Sequence, residues 1–300
     1  MLPEITVLLR RGNLDGKGFF PPEEQTWTCQ GEMPLAIIRR GWAFDGTDTY
    51  LGIKAGNCNT WKTMITSHGH MDAGSFVFEA EGVRWSDDIM RPSYGPWFKS
   101  LKDAGSHSGS TAQNGLRWST FDVSNLCHSC LVAYANDGSV RDKLHPSDYD
   151  VDGYATLRFF DKNGSQGAVM DLSAPMKGQV RSAVRTVTLH PDGNLEVRDS
   201  VTALPGMDCP LEWRMLTQAK VKISGNHLIL TKKEAKRRMF VSTSSKAVKP
   251  EWAVLKPDVP ESWKEAFYYI QGAKKHEIAT WKATVPAGET VVFVTRLKKP

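Results

Sequence analysis

The chain has no long apolar run: nothing in its 300 residues approaches the ~18 consecutive apolar positions that a membrane-spanning helix needs. It is also short of charge imbalance. Lys plus Arg number 38 against 33 for Asp plus Glu, an excess of +5, and so mild a bias leads us to expect no nucleic-acid partner. The one dense charge run, KKEAKRR at 232–238, reads as a solvated strand end or turn. Cysteine is sparse and unpatterned: Cys29, Cys58, Cys127, Cys130 and Cys209 are odd in number and scattered, which excludes a disulfide framework. Met1 is followed by Leu-Pro-Glu, without the basic and apolar regions of a secretory signal. Internal repeats, linkers and low-complexity tracts are missing too, while 40% hydrophobic content is enough for a sizeable core.

What the chain does have is aromatic bulk and turn formers. Ten Trp, 25 Gly and 16 Pro suit many short strands and exclude a long helical bundle. MPLAIIRRGW and TYLGIKAG read as paired strands, and GSFVFEAEGVRW, YATLRFF, GAVMDL, HLILTKK, RMFVSTS and GETVVFVTRL as further apolar or alternating runs between Gly, Asn, Asp or Pro turns. VRTVTLHPDGNLEVRDSV is the clearest hairpin, capped by Asp192-Gly193-Asn194. The predicted fold is all-β, a large antiparallel multi-stranded β-sandwich (a supersandwich) of stacked sheets over 30–300, behind a short N-terminal helix and loop at 1–29. PESWKEAFYYI at 260–270 is the other helix candidate, with Pro260 and Glu261 at its start.

The densest set of chemically capable side chains is TSHGHMDAGSF, holding His68, His70 and Asp72, followed by Asp87, Asp88, Cys127, His128 and Cys130. Imidazole and carboxylate are ligands that Zn²⁺ takes, and H-x-H puts two rings on one side of an extended segment. A third ligand must come from elsewhere. LCHSCLV reads as a strand, with His128 and Cys130 on one face and Cys127 and Ser129 on the other. A lone C-x-x-C with no second pair points to buried strand cysteines, not to zinc or redox chemistry.

Two families share parts of this pattern. H-x-H-x-D resembles the motif of metallo-β-lactamase-like hydrolases, but those continue with a further His where this chain has Ala73. A longer likeness runs through AIIRRGW, TYLGIKAG, HGHMDAGSFVFEAEGVRWSDD, Tyr94, LCHSCL and VRDSVTA…LEWRMLTQAKV. In these blocks and their order the chain resembles the β-sandwich portion of heparinase II/III family polysaccharide lyases, from about residue 30 to the end. The resemblance implies one structural zinc held by His70, Asp87 and His128, with His68 facing the substrate. Tyr94 matches a family tyrosine, although the usual Gly before it is missing from DDIMRPSY.

The implied activity is β-elimination on a uronic-acid-containing acidic polysaccharide. That reaction neutralises the C5 carboxylate, removes the C5 proton and protonates the leaving oxygen, tasks that suit tuned His and Tyr side chains. Arg84, Arg91 and Trp97 are the expected substrate-binding residues, with Lys99 and Lys102 nearby and Trp85 a candidate for stacking or core packing. The family usually carries an α/α toroid ahead of the sandwich, for which the residues before 30 leave no room, so a fragment, a separate toroid partner or a loss of lyase activity is expected. The other function class is a non-catalytic, metal-stabilised carbohydrate-binding or interaction module. The resemblance implies a periplasmic or secreted protein.

Overall fold

Alternation of buried and half-exposed residues along strands such as Leu35–Arg40, Thr49–Lys54, Val180–Leu189 and Thr290–Lys298 organises the chain into sheets with one face in a core. The computed structural model describes residues 25–42, 48–56, 58, 69–88, 102, 115–119, 121, 123–134, 149–257 and 275–300. Both expected helices lie outside these residues. The first five strands are β1 (Thr26–Cys29), β2 (Leu35–Arg40), β3 (Thr49–Lys54), β4 (Phe76–Ala80) and β5 (Val83–Ser86). They pair in chain order as one antiparallel sheet. β1 lies on the N-terminal side of the boundary expected at residue 30. GSFVFEAEGVRW is a hairpin, because Glu81 and Gly82 both take positive φ (55° and 71°), as a two-residue turn matched to strand twist requires.

Next come β6 (Leu131–Ala133), β7 (Thr156–Lys162), β8 (Ser165–Asp171), β9 (Val180–Leu189), β10 (Leu195–Ala203) and β11 (Cys209–Thr217). The rest are β12 (Lys220–Ser224), β13 (His227–Lys232), β14 (Arg237–Ser244), β15 (Glu251–Leu255), β16 (Glu277–Val285) and β17 (Thr290–Lys298). An eight-stranded sheet runs β12-β13-β14-β17-β10-β9-β8-β7, and a four-stranded sheet runs β15-β16-β11-β6. The β9–β10 hairpin forms as its sequence predicts: Leu189 pairs with Leu195, Gly193 takes φ 80°, and the Asp192 carboxylate accepts the Asn194 amide at 2.9 Å.

All three sheets share one core. Ile38, Leu51 and Phe78 of the first sheet meet Val187 and Val197 of the eight-stranded sheet and Trp213 and Trp281 of the four-stranded one. Trp281 stacks on Phe293 at 4.5 Å and donates its indole N–H to Thr295 Oγ1 at 3.0 Å, joining β16 to β17.

The layer facing the eight-stranded sheet is therefore divided between the first and the four-stranded sheets. Where β5 approaches β11, one backbone bond crosses, from Asp87 N to Leu216 O at 2.9 Å. Beside it hydroxyls replace the ladder: Ser86 Oγ and Ser129 Oγ are 2.8 Å apart, and Ser129 Oγ accepts the Leu216 amide at 3.3 Å. Polar side chains inserted at this seam satisfy the backbone without continuing a sheet. His70, Asp72 and His128 gather here.

Candidate metal centre at the sheet seam

LCHSCLV is not one strand. A 3-10 turn at Asn125–Cys127 leads into a bend in which Cys130 N bonds His128 O at 2.8 Å, and β6 starts only at Leu131. A bond between residues two apart breaks alternation, so Cys127, His128, Ser129 and Cys130 are all buried. The cause is tertiary: β11 is buried on both faces, and Arg214 holds this segment through its amide to Cys130 O (3.0 Å) and its Nε to Leu126 O (3.0 Å). Burial pushes the Cys58 and Cys130 thiols above the ordinary cysteine value.

The second segment runs from Gly69 to Ser75. The Gly69 carbonyl accepts from the buried Arg117 guanidinium at 2.8 Å. A Cβ at Gly69 would stand 1.8 Å from the Cys58 carbonyl oxygen, so no larger residue fits. Met71 N bonds Val123 O at 2.8 Å, Ser75 N bonds Asp72 O at 3.0 Å, and Gly74, at φ 83°, bonds Lys54 O at 2.9 Å. The segment is tied at both ends and turned so that His70 and Asp72 face the His128 bend.

There His70 Nδ1 and His128 Nε2 are 3.3 Å apart, and the ligand atoms of His70, Asp72 and His128 all lie within 4.8 Å of one another. Two nitrogens on a tetrahedral zinc at ordinary bond lengths are separated by about 3.3–3.4 Å, so this pair already has the spacing. His128 Nδ1 faces the Asp88 carboxylate at 2.9 and 3.1 Å, leaving Nε2 for the ion, the arrangement by which a carboxylate orients a ligating imidazole. The donor set fits zinc. Burial works against a charged His128, but Asp88 and Asp72 outweigh it and raise its pKa. Burial likewise opposes ionisation of Asp72, yet Lys54, which hydrogen-bonds it, and the two histidines hold its carboxyl below the usual range.

Asp87, the carboxylate expected beside His70 and His128, is not in this cluster. It has other partners: Oδ2 lies 2.9 Å from His276 Nε2 and accepts from Gln218 Nε2 at 2.7 Å, while Oδ1 accepts the Asp88 amide at 2.9 Å. Burial raises its pKa, but these bonds outweigh burial and lower it to about 2. The carboxylate grouped with His70 and His128 is that of Asp72. The sequence held the signal, since Asp72 stands two residues after His70 and so shares its face in an extended segment.

Arg84, an expected substrate-binding residue, is exposed, paired with Glu79, and 3.6 Å from Asp87 Oδ1. It lines a cleft of about 480 Å³ on the outer face of the first sheet, with Tyr50, Gly52, Lys54, Asp72 and Asp88. The His70–Asp72–His128 cluster therefore meets this cleft at Asp72. Trp85 packs in the core, its indole N–H on Ala80 O at 3.0 Å. His68, Arg91, Tyr94 and Trp97 lie outside the described residues. Among the described residues no helix is long and apolar enough to cross a membrane.

A β-sandwich with a histidine–carboxylate cluster at a sheet seam is the class this chain defines. No protein-family model and no curated protein matches its sequence. Among solved structures its fold is similar to a heparinase III gene product with methylated lysines (TM-score 0.63, 12% identity), covering 99% of this chain and 40% of that one. It is similar too to another heparinase III (TM-score 0.57, 13% identity, 88% of this chain and 35% of that one). A heparan sulfate lyase from Pedobacter heparinus gives a TM-score of 0.60 at 13% identity, over 98% of this chain and 40% of that one. The likeness is one of fold, and it bears out the heparinase-like sandwich expected from the sequence. The chain spans about 40% of the length of the first of these structures.

Proposed function

We propose that this chain is the metal-holding sandwich of a polysaccharide lyase that cleaves a uronic-acid-containing acidic polysaccharide by β-elimination, in a periplasmic or secreted setting. The observation that supports it is the His70–Asp72–His128 cluster, carried on a heparinase-like fold and opening onto a cleft with Lys54 and Arg84 at its edges. A zinc ion bound there would supply a fixed positive charge that ties the Gly69–Ser75 segment to the His128 bend. Its role is structural: it holds in place the chain that leads back to His68.

In this reading His68 faces the uronate and accepts the C5 proton, becoming an imidazolium. The electrons of that C–H bond form the C4–C5 double bond, and the C4–O bond breaks with protonation of the leaving oxygen, for which Tyr94 is the candidate. Arg84, Arg91 and Trp97 form the rim that holds the anionic chain. Lys54 keeps Asp72 ionised, and Asp88 keeps His128 Nε2 turned to the ion.

The test is absorbance of unsaturated uronate released from heparan sulfate, alginate and related polymers, alongside elemental analysis of the purified protein. Product formed by the wild type and lost in His68→Ala is expected. Polysaccharide binding without product would assign the chain to the non-catalytic module instead, and a metal-free folded protein unchanged by His70→Ala would remove the metal.

A further inference from the structure

The eight-stranded sheet presents inward-facing residues Ala183, Val187 and Leu189 from β9, and Leu195, Val197 and Val201 from β10. In the middle of this apolar surface stand two charges. Arg185 and Asp199 are direct partners in the hairpin register, 0% and 1% exposed, joined through Nε–Oδ1 at 2.6 Å and a terminal nitrogen to Oδ2 at 3.1 Å. Such a pair costs desolvation and contributes little net stability compared with an apolar pair of similar volume. Its value here lies in what the rest of the guanidinium does.

The other terminal nitrogen, Nη1, donates to Gly74 O at 2.9 Å and to Ser129 O at 3.2 Å. Gly74 lies two residues after Asp72, and Ser129 follows His128 directly. The two hydrogens of one nitrogen are thus shared between the two ligand-bearing segments. Because those hydrogens diverge at a fixed angle in a planar group, they fix the two carbonyls relative to each other. Asp199, on a long ladder strand, fixes the guanidinium itself.

We propose that Arg185, anchored by Asp199, is the positioning residue that sets the separation of the Asp72 and His128 segments and thereby the metal affinity of the centre; this rests on the metal reading above. Lysine cannot replace it, because a single ammonium on a shorter reach cannot serve both Asp199 oxygens and two diverging carbonyls.

The experiment is titration of the metal-free full chain with Co²⁺, followed by its visible absorption, and with Zn²⁺ in competition. Arg185→Lys should stay folded and lose affinity by about 10- to 100-fold, the range seen when supporting residues behind metal ligands are removed, with an altered cobalt spectrum. Val187→Ala, an apolar deletion on the same strand, should lower thermal stability and leave affinity and spectrum unchanged. Should Arg185→Lys not fold, Asp199→Asn keeps the guanidinium and weakens only its anchor, and it should still weaken metal binding. A folded Arg185→Lys or Asp199→Asn with wild-type affinity and spectrum overturns the role of Arg185 and leaves the metal reading standing. A wild type that takes up no cobalt overturns both.

Discussion

Replacing Asp87 by Asn separates two jobs that the sequence leaves together. The Asp87 carboxylate meets His276 at 2.9 Å, Gln218 at 2.7 Å and the Asp88 amide at 2.9 Å, with Arg84 at 3.6 Å. Asn keeps one acceptor oxygen but turns an NH₂ toward groups that are themselves donors, so one or two charge-assisted bonds are lost. At roughly 1.5–3 kcal/mol for each such bond, the loss in unfolding free energy should be about 1.5–6 kcal/mol. Urea denaturation in the presence of a chelator reads this as a lower midpoint at an unchanged slope. Zinc affinity, measured on the folded protein, should hardly move, since this carboxylate is engaged by His276 and Gln218 and is not among the clustered ligand atoms of His70, Asp72 and His128. Asp72→Asn should give the opposite pattern: a large loss of zinc affinity with a smaller change in metal-free stability. An Asp87→Asn protein that keeps its stability and loses zinc would refute the assignment and return Asp87 to the metal.

Other consequences can be checked separately. Zinc at about a hundred times its Kd should stabilise the wild type by about 2.7 kcal/mol, seen as a higher melting temperature, and His128→Ala should abolish the rise. Glu212 is buried, which disfavours its charge, but Arg214, Tyr134 and Lys282 outweigh burial and hold its carboxyl below the ordinary value. A depressed folded pKa stabilises above the unfolded carboxylate pKa and loses that contribution as pH falls through the folded one. Urea midpoints from neutral to acid pH should therefore decline less steeply in Glu212→Gln than in wild type. Gly69→Ala must displace the Cys58 carbonyl, so a thermal melt and a zinc titration should show stability and metal affinity falling together.

Much of this fold can be read locally. The β9–β10 hairpin follows from strict alternation around Asp192-Gly193, and its register alone puts Arg185 opposite Asp199. Two charges on the inward side of an apolar hairpin were the available sign of a buried strut. H-x-H-x-D likewise holds both His70 and Asp72, but choosing between Asp72 and Asp87 depends on which donors await Asp87 across the seam, and His276 and Gln218 are 189 and 131 residues away in sequence. The bend at His128 was illegible for a similar reason. Alternation assumes one buried face, whereas packing on β11 buries all four residues from Cys127 to Cys130. The division of one layer into two sheets depends on Ser86 and Ser129, 43 residues apart, meeting at the seam.

That assembly from distant segments bears on time as well as space. His70 and His128 are 58 residues apart, and the guanidinium that ties their segments lies 111 residues from Gly74. Loop closure on this scale is paid before any contact repays it, so an unfolded chain holds no preformed pocket that an ion could nucleate. The colour of bound cobalt should consequently appear only in the last phase of refolding, after the hairpins and the indole environments have formed. The ion would then mark completion of the chain's slowest event instead of guiding its earliest.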